Sequence, residues 1–150
     1  LDALTSHPEG HAFSVHGGSV TDGQLAIRAR TGVKPNTAVG PIPPLSSAFH
    51  SDDLLIFADQ AIREGGALQR AIARQPGQTV VRVDAADVGD LGSNLGRGYV
   101  RIGATANKGS NASVMGPVQR VDNLRSAQGI YEFNPSKQVW ETITVYPAPH

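Results

Sequence analysis

The chain has 150 residues, enough for one hydrophobic core, and its 13 Lys and Arg are balanced by 13 Asp and Glu. That balance argues against a nonspecific nucleic-acid binder, which carries a basic excess, but not against an enzyme with one local cationic site. With no cysteine, disulfide frameworks and thiolate metal sites are excluded.

No run is long and apolar enough to span a bilayer, and the Asp, His and Glu among the first residues do not form a signal peptide. A chain opening on Leu1 reads as a piece cut from something larger, and residues 1–150 read as a single domain. Glycine and proline are plentiful while aromatics make up only 5%, which predicts a loop-rich domain with a modest core.

Along residues 1–20, Ala12, Ser14 and His16 alternate with Phe13 and Val15, which predicts a short strand or an irregular docked segment. Thr21-Asp22 offers a helix cap, followed by Leu25, Ala26, Ile27 and Ala29 and ending near Gly32. Pro35, Pro41, Pro43 and Pro44 predict a loop over 33–46. Ser46 to His50 reads as a short extended piece. Ser51-Asp52-Asp53 then starts a helix, with Leu54, Leu55, Ala58 and Ile62 at helical spacing. Gly65-Gly66 breaks it, and Ala67 to Arg74 adds a turn or two.

After Pro76-Gly77 the pattern turns to strands. Thr79 to Val83 alternates, 84–98 is polar and glycine-rich, and Tyr99 to Ile102 reads as a strand. Residues 103–116 read as an exposed loop. Gly129 to Phe133 and Gln138 to Val145 flank Asn134-Pro135-Ser136-Lys137 as a hairpin. Helices early and strands late make the class α+β, with short N-terminal helices packed on a C-terminal antiparallel sheet.

Four residue types make a kit for cleaving a phosphodiester without metal. Histidine moves protons near neutral pH, arginine clamps phosphate, and a hydroxyl and a phenol supply further hydrogen bonds. His16, Arg28, Thr144 and Tyr146 are the candidates, with His11 beside them and His50 in reserve. Gly17-Gly18 offers open backbone that a phosphate could approach, and Ser46 and Ser47 offer hydroxyls. A histidine near its ordinary pKa predicts activity that falls on both sides of neutrality.

Thr142, Thr144 and Tyr146 are two apart, which predicts one polar strand face, with Ile143 and Val145 turned to the core. His7, His11 and His16 lack metal-ligand spacing. Asp84, Asp87 and Asp90 read as turn and cap residues rather than a calcium loop. Gly92-x-x-x-Gly96-x-Gly98 reads as a flexible turn rather than a phosphate loop.

In this order the pieces Gly10-His11, His16-Gly17, Leu25 to Arg28, Ser46-Ser47-Ala48-Phe49 and Thr144-Val145-Tyr146-Pro147 resemble the C-terminal toxin domains of polymorphic bacterial toxins. Within these, the resemblance is to the RNase A-like class of contact-dependent inhibition and Rhs-type effectors. It implies a metal-independent ribonuclease without cofactor. His16 would be its general acid or base, Arg28 would stabilise phosphorane charge, and Thr144 and Tyr146 would position the phosphate. His11 or Tyr146 would be the second acid or base, and Ser46, Ser47 and Gly17 would contact substrate. The ribose 2′-hydroxyl would attack the adjacent phosphate, giving a 2′,3′-cyclic phosphate from an RNA such as tRNA and leaving DNA inert. The resemblance further implies a monomer delivered from an exported precursor into the target-cell cytoplasm, and a cognate immunity protein as partner.

A second resemblance is to ADP-ribosyltransferase or NAD-consuming toxins. His16-Gly17-Gly18-Ser19 is similar to their His-Gly-Ser opening, with Phe49 or Phe57 as the aromatic and Glu132 or Glu141 as the catalytic acid. That reading requires NAD. A third reading is a non-catalytic binding or cap domain, which leaves the ordered His, Arg and Thr-x-Tyr pieces without a role.

Overall fold

The computed structural model describes residues 2–102 and 117–150. In chain order it contains α1 (Asp2–Thr5), α2 (Ala12–His16), α3 (Asp22–Thr31), β1 (Ser46–Phe49), α4 (Asp52–Glu64), α5 (Ala67–Arg74), β2 (Val80–Val83) and α6 (Ala85–Val88). The remaining strands are β3 (Gly96–Arg101), β4 (Val118–Leu124), β5 (Ser126–Asn134) and β6 (Val139–Ala148). The class is α+β, with most helices early and most strands late. The strands form two antiparallel three-stranded sheets, β1-β3-β4 and β2-β5-β6. Among the described residues no helix is long and apolar enough to cross a membrane.

Local signals account for several elements. Thr21 caps α3 in a capping box with Gln24, and Gly32 closes it in the left-handed region at φ 78°. Ser51 Oγ accepts the Leu54 N–H (3.1 Å) at the start of α4. The predicted hairpin is present as β5 and β6, joined through Asn134 to Gln138.

Other elements depart from expectation. Residues 12–16 form a helix rather than a strand. Its buried positions Ala12, Val15 and His16 are spaced by three and four, and over five residues a period of 2 cannot be told from one of 3.6. Asp87 lies inside α6, the short helix that follows Asp84. Gly96 and Gly98 belong to β3 rather than a flexible turn. A Cβ at Gly96 would stand 2.3 Å from Ala48 O and 2.7 Å from Pro147 Cγ, so the bare backbone lets the two sheets meet. β4 carries its apolar residues Val118, Val121 and Leu124 three apart, a spacing that hides a strand. A register shift opposite Gly96 and Gly98 accommodates it. The loop predicted over 103–116 lies outside the described residues.

The most consequential departure is in β6. Ile130 pairs with Thr144, but the next residue, Tyr131, pairs with Thr142. Ile143 is therefore an extra residue, and the alternation flips across it. Thr142 does not share a face with Thr144 and Tyr146, as simple alternation predicts; it turns into the core. There Thr142 Oγ1 donates to Asp59 Oδ1 (2.8 Å) and accepts from Arg63 Nη2 (2.6 Å). Tyr131, fully buried, donates its phenol to the same carboxyl oxygen (2.9 Å), and burial pushes its pKa well above the ordinary value. Arg63 Nε closes the network on Asp59 Oδ2 (2.8 Å) and Nη1 reaches Trp140 O (2.6 Å). Around these polar groups pack Phe49, Leu55, Ile62, Val81 and Val145. Ile143 itself is only half-buried.

The two sheets are tied by Ser47 Oγ, which donates to Pro147 O (2.8 Å). Arg97, nearly buried, donates to Asp22 Oδ1 (3.0 Å), Phe49 O (2.8 Å) and Val20 O (2.6 Å), holding α3 against β1 and β3. The Asp59 carboxylate is buried and paired, so removing it strands Arg63, Tyr131 and Thr142. Asp59→Ala is expected to lower unfolding free energy by about 3–5 kcal/mol in urea denaturation followed by circular dichroism. A midpoint equal to that of the unmutated chain would mean this network does not anchor α4.

Candidate active site

The N-terminal segment is drawn onto β6 by its backbone. The carbonyl of the bulged Ile143 accepts the His11 N–H (2.9 Å), and α2 starts from there. One turn and a half later His16 arrives beside Tyr146, with ring centroids 5.2 Å apart and an interplanar angle of 35°. The His11 ring lies 6.2 Å from that of His16. Arg28 and Lys34 complete the group, and both act electrostatically on the two histidines.

His16 is 3% exposed, and its Nδ1 lies 2.7 Å from the Ser47 carbonyl oxygen. A carbonyl only accepts, so Nδ1 carries the proton and Nε2 presents its lone pair. Burial dominates its titration and lowers the pKa to about 3; the Ser47 contact opposes this, while Arg28, His11 and Lys34 reinforce it. His11 is also held below its usual value, by burial first and then by Lys34 and Arg28. The sequence-based expectation of a histidine poised near neutrality is thus corrected: at pH 7 the unliganded site holds a neutral His16.

Burial lowers the Arg28 pKa, and the Tyr146 phenol opposes that shift. Its Nε is buried without a hydrogen-bond partner, as are Thr144 Oγ1 and Ser46 Oγ. Donors left open in a protein interior call for an explanation, and a ligand oxygen is one. Thr144 and Tyr146 share the face of β6 beyond the bulge, across from Ile130 and Gln128. Gln128 Nε2 donates to Tyr146 Oη (2.7 Å). The charges acting on His16 are all positive, so the arrangement favours an anion.

Other expected contacts take different places. The Gly17 N–H is already bonded to Phe13 O (3.0 Å), and Gly18 N–H donates to Asp52 Oδ1 (2.8 Å). Side chains there would collide, since a Cβ at Gly18 would lie 2.7 Å from Ser51 Cα. The glycine pair therefore packs α2 against α4 rather than offering open backbone to a phosphate. Ser47 has its hydroxyl engaged by Pro147 and instead orients His16 through its carbonyl. Ser46 is fully buried on the face of β1 shared with Ala48, which packs near Leu25 of α3. His50 is exposed and faces Asn94 Oδ1 (3.2 Å).

The carboxylates of the transferase reading are elsewhere. Glu132 accepts from His7 Nε2 (2.7 Å), while Glu141 is bonded by Ser6 and by Asn134 Nδ2 (3.1 Å). They pair across the hairpin near its turn, roughly 16 Å along β6 from Tyr146 at ~3.3 Å per residue. Phe49 is core and Phe57 is exposed on α4. A surface hollow at that end, lined by Asp2, Ser6, Lys137 and Val139, contains none of the His16 group.

Sequence reasoning missed Lys34 and Gln128. Lys34 begins the turn closed by the Thr37 N–H to Lys34 O bond (2.8 Å), inside a loop whose path no periodicity reveals. Gln128 is identifiable only once the β5–β6 register is known.

No family model and no curated protein matches the chain. Among solved structures it superposes with a TM-score of 0.53 on a chain of the crystal structure of the CdiA-CT/CdiI complex from Y. kristensenii, at 17% identity. The match covers 89% of this chain and 95% of that one, so the likeness is one of fold over nearly the whole of both.

The neutral, buried His16 has a consequence for stability. An unfolded chain binds a proton on this residue below about pH 6.5, whereas the folded chain refuses it until about pH 3. Its contribution is therefore complete above pH 6.5 and is lost as pH falls through that window. His11, shifted the same way, adds to the loss. Thermal melts at pH 7.5, 5.5 and 4.5 should show Tm falling more steeply for the unmutated chain than for His16→Asn. Parallel curves would contradict the neutral buried state.

Proposed function

We propose that residues 1–150 form one toxin domain of the contact-dependent inhibition type, and that it is a metal-independent endoribonuclease. The observation that carries this reading is the meeting of His16 and Tyr146 at 5.2 Å, beside an Arg28 Nε and a Thr144 Oγ1 that have no protein partner. The fold shared with a chain of a CdiA-CT/CdiI complex, a toxin with its immunity protein, supports the effector role and an immunity partner for this chain. That likeness does not specify the reaction; the ribonuclease assignment rests on the site.

The proposed chemistry assigns each of these groups a role. A phosphodiester anion enters a site whose charges are positive, and its own charge raises the basicity of His16. His16 Nε2 takes the proton of the ribose 2′-hydroxyl. The 2′-oxygen then bonds to phosphorus as the bond to the 5′-oxygen breaks. Arg28 and Thr144 donate to the non-bridging oxygens, where charge accumulates. Tyr146 donates its proton to the leaving 5′-oxygen, and the half-exposed His11 passes protons between site and solvent. The products are a 2′,3′-cyclic phosphate and a free 5′-hydroxyl.

The immunity protein is expected to cover the site with an acidic face, because opposite potentials speed and direct association. Cytosolic expression should arrest growth and the neighbouring reading frame should rescue it.

Purified protein incubated with tRNA in EDTA should yield 2′,3′-cyclic ends. DNA, or a substrate with 2′-deoxyribose at the cut, should stay intact. His16→Ala and Arg28→Ala are each expected to slow cleavage about 10²- to 10⁴-fold, and Tyr146→Phe to lower kcat more than it raises KM. NAD should change nothing; transfer of label from NAD onto a target with intact RNA would establish the transferase instead.

The pH profile offers a separate check. Because kcat/KM reports the free enzyme, its acidic limb should lie well below pH 6.5, toward the His16 value of about 3. A limb at an ordinary histidine pKa would remove the buried His16 from the role of base.

A further inference from the structure

We infer that Gln128 is a positioning residue for the Tyr146 phenol, and that its own amide is oriented by the first residue of α6. The inference rests on the reading of Tyr146 as a proton donor in RNA cleavage. Gln128 on β5 faces Tyr146 directly across the β5–β6 ladder. Its Oε1 accepts the Ala85 N–H (3.3 Å) and its Nε2 donates to Tyr146 Oη (2.7 Å). A backbone N–H can only donate, so it selects the amide orientation with oxygen toward α6 and nitrogen toward the phenol.

The consequence for the phenol is specific. A phenolic oxygen has lone pairs to accept with and one proton to give. With Gln128 donating to that oxygen, the proton cannot point at Gln128 and is turned away from it. The same donor stabilises the phenolate left after proton transfer. Among the described residues the Gln128 side chain bonds to Ala85 and Tyr146 and to neither histidine, Arg28 nor Thr144, so it acts through Tyr146.

The brace behind Gln128 is itself fixed. Ala85 is the first helical residue of α6, whose N–H has no partner within the helix. Ser126 Oγ donates to Ala85 O (3.0 Å), so both polar groups of Ala85 are gripped by β5 side chains two residues apart. The short helix that the sequence conceals thus holds the amide that holds the phenol.

Three variants test this. Gln128→Leu removes both hydrogen bonds. Gln128→Glu offers only acceptors and pulls the phenol proton toward itself. Ala85→Pro removes just the N–H, at a first-turn position where proline is tolerated and after a residue already extended at ψ 149°. Each is assayed on an oligoribonucleotide, and the Tyr146 resonance is followed by NMR with tyrosine labelled at Cζ, assigned through Tyr146→Phe. Gln128→Leu should lower kcat about 10- to 100-fold with little change in KM, and should have no further effect in the Tyr146→Phe background. Ala85→Pro should lower kcat less. The Tyr146 Cζ chemical shift, which reports the hydrogen bonding of the phenol oxygen, should move in both Gln128→Leu and Gln128→Glu.

An unchanged Tyr146 Cζ resonance, or an equal loss of activity with and without the phenol, would overturn the proposal. If the unmutated protein cleaves no RNA, the proposed function fails by itself, and the Tyr146 Cζ resonance still decides whether Gln128 governs the phenol.

Discussion

The arrangement depends on one extra residue in β6. Opposite the step from Ile130 to Tyr131, β6 inserts Ile143, and side chains on either side of it address different parts of the protein. Before the bulge, Thr142 points inward and joins Asp59, Arg63 and Tyr131, which fastens α4 to the sheet. After it, Thr144 and Tyr146 face the histidines. The displaced Ile143 carbonyl accepts the His11 N–H, so the distortion that separates core from site also moors α2. An unbroken strand would have placed Thr142 with Thr144 and left Asp59 without one of its donors.

The Asp59 ionic network and the cationic group around His16 would interfere if they shared a surface. Here they lie on opposite faces of one strand. Asp59 and Arg63 are matched within the interior, where a lone charge would be strongly destabilising. Burial is what holds the His16 imidazole neutral, and Arg28 and Lys34, with no acid among the groups acting on it, reinforce that effect. In the proposed ribonuclease, neutrality would suit a base awaiting an anion, and the substrate would bring the charge that makes proton uptake favourable.

Much of the frame was legible because its causes are local. The α3 capping box, the Ser51 cap of α4, the Gly65-Gly66 break and the β5–β6 turn each depend on residues within a few positions of one another. α2, β4 and α6 were not legible. The first is too short for its period to show, the second has its apolar residues three apart, and the third is a single turn held by β5 side chains. The candidate residues His16, Arg28, Thr144 and Tyr146 stood out as chemistry-bearing types. Ser47 and Gly17 also did, yet their polar groups serve to orient His16 and to pack the helix.

The sequence by itself determined the α+β class, the cysteine-free balanced composition and the inventory of groups able to handle a phosphodiester. Those follow from residue identity and short-range periodicity. Only the tertiary structure decided which groups meet, which way β6 turns at Ile143, and that His16 is neutral rather than poised. Proximity between residues more than a hundred positions apart, and burial, are properties of packing: a pKa of about 3 comes from removed water and neighbouring cations, neither of which is written beside His16 in the chain.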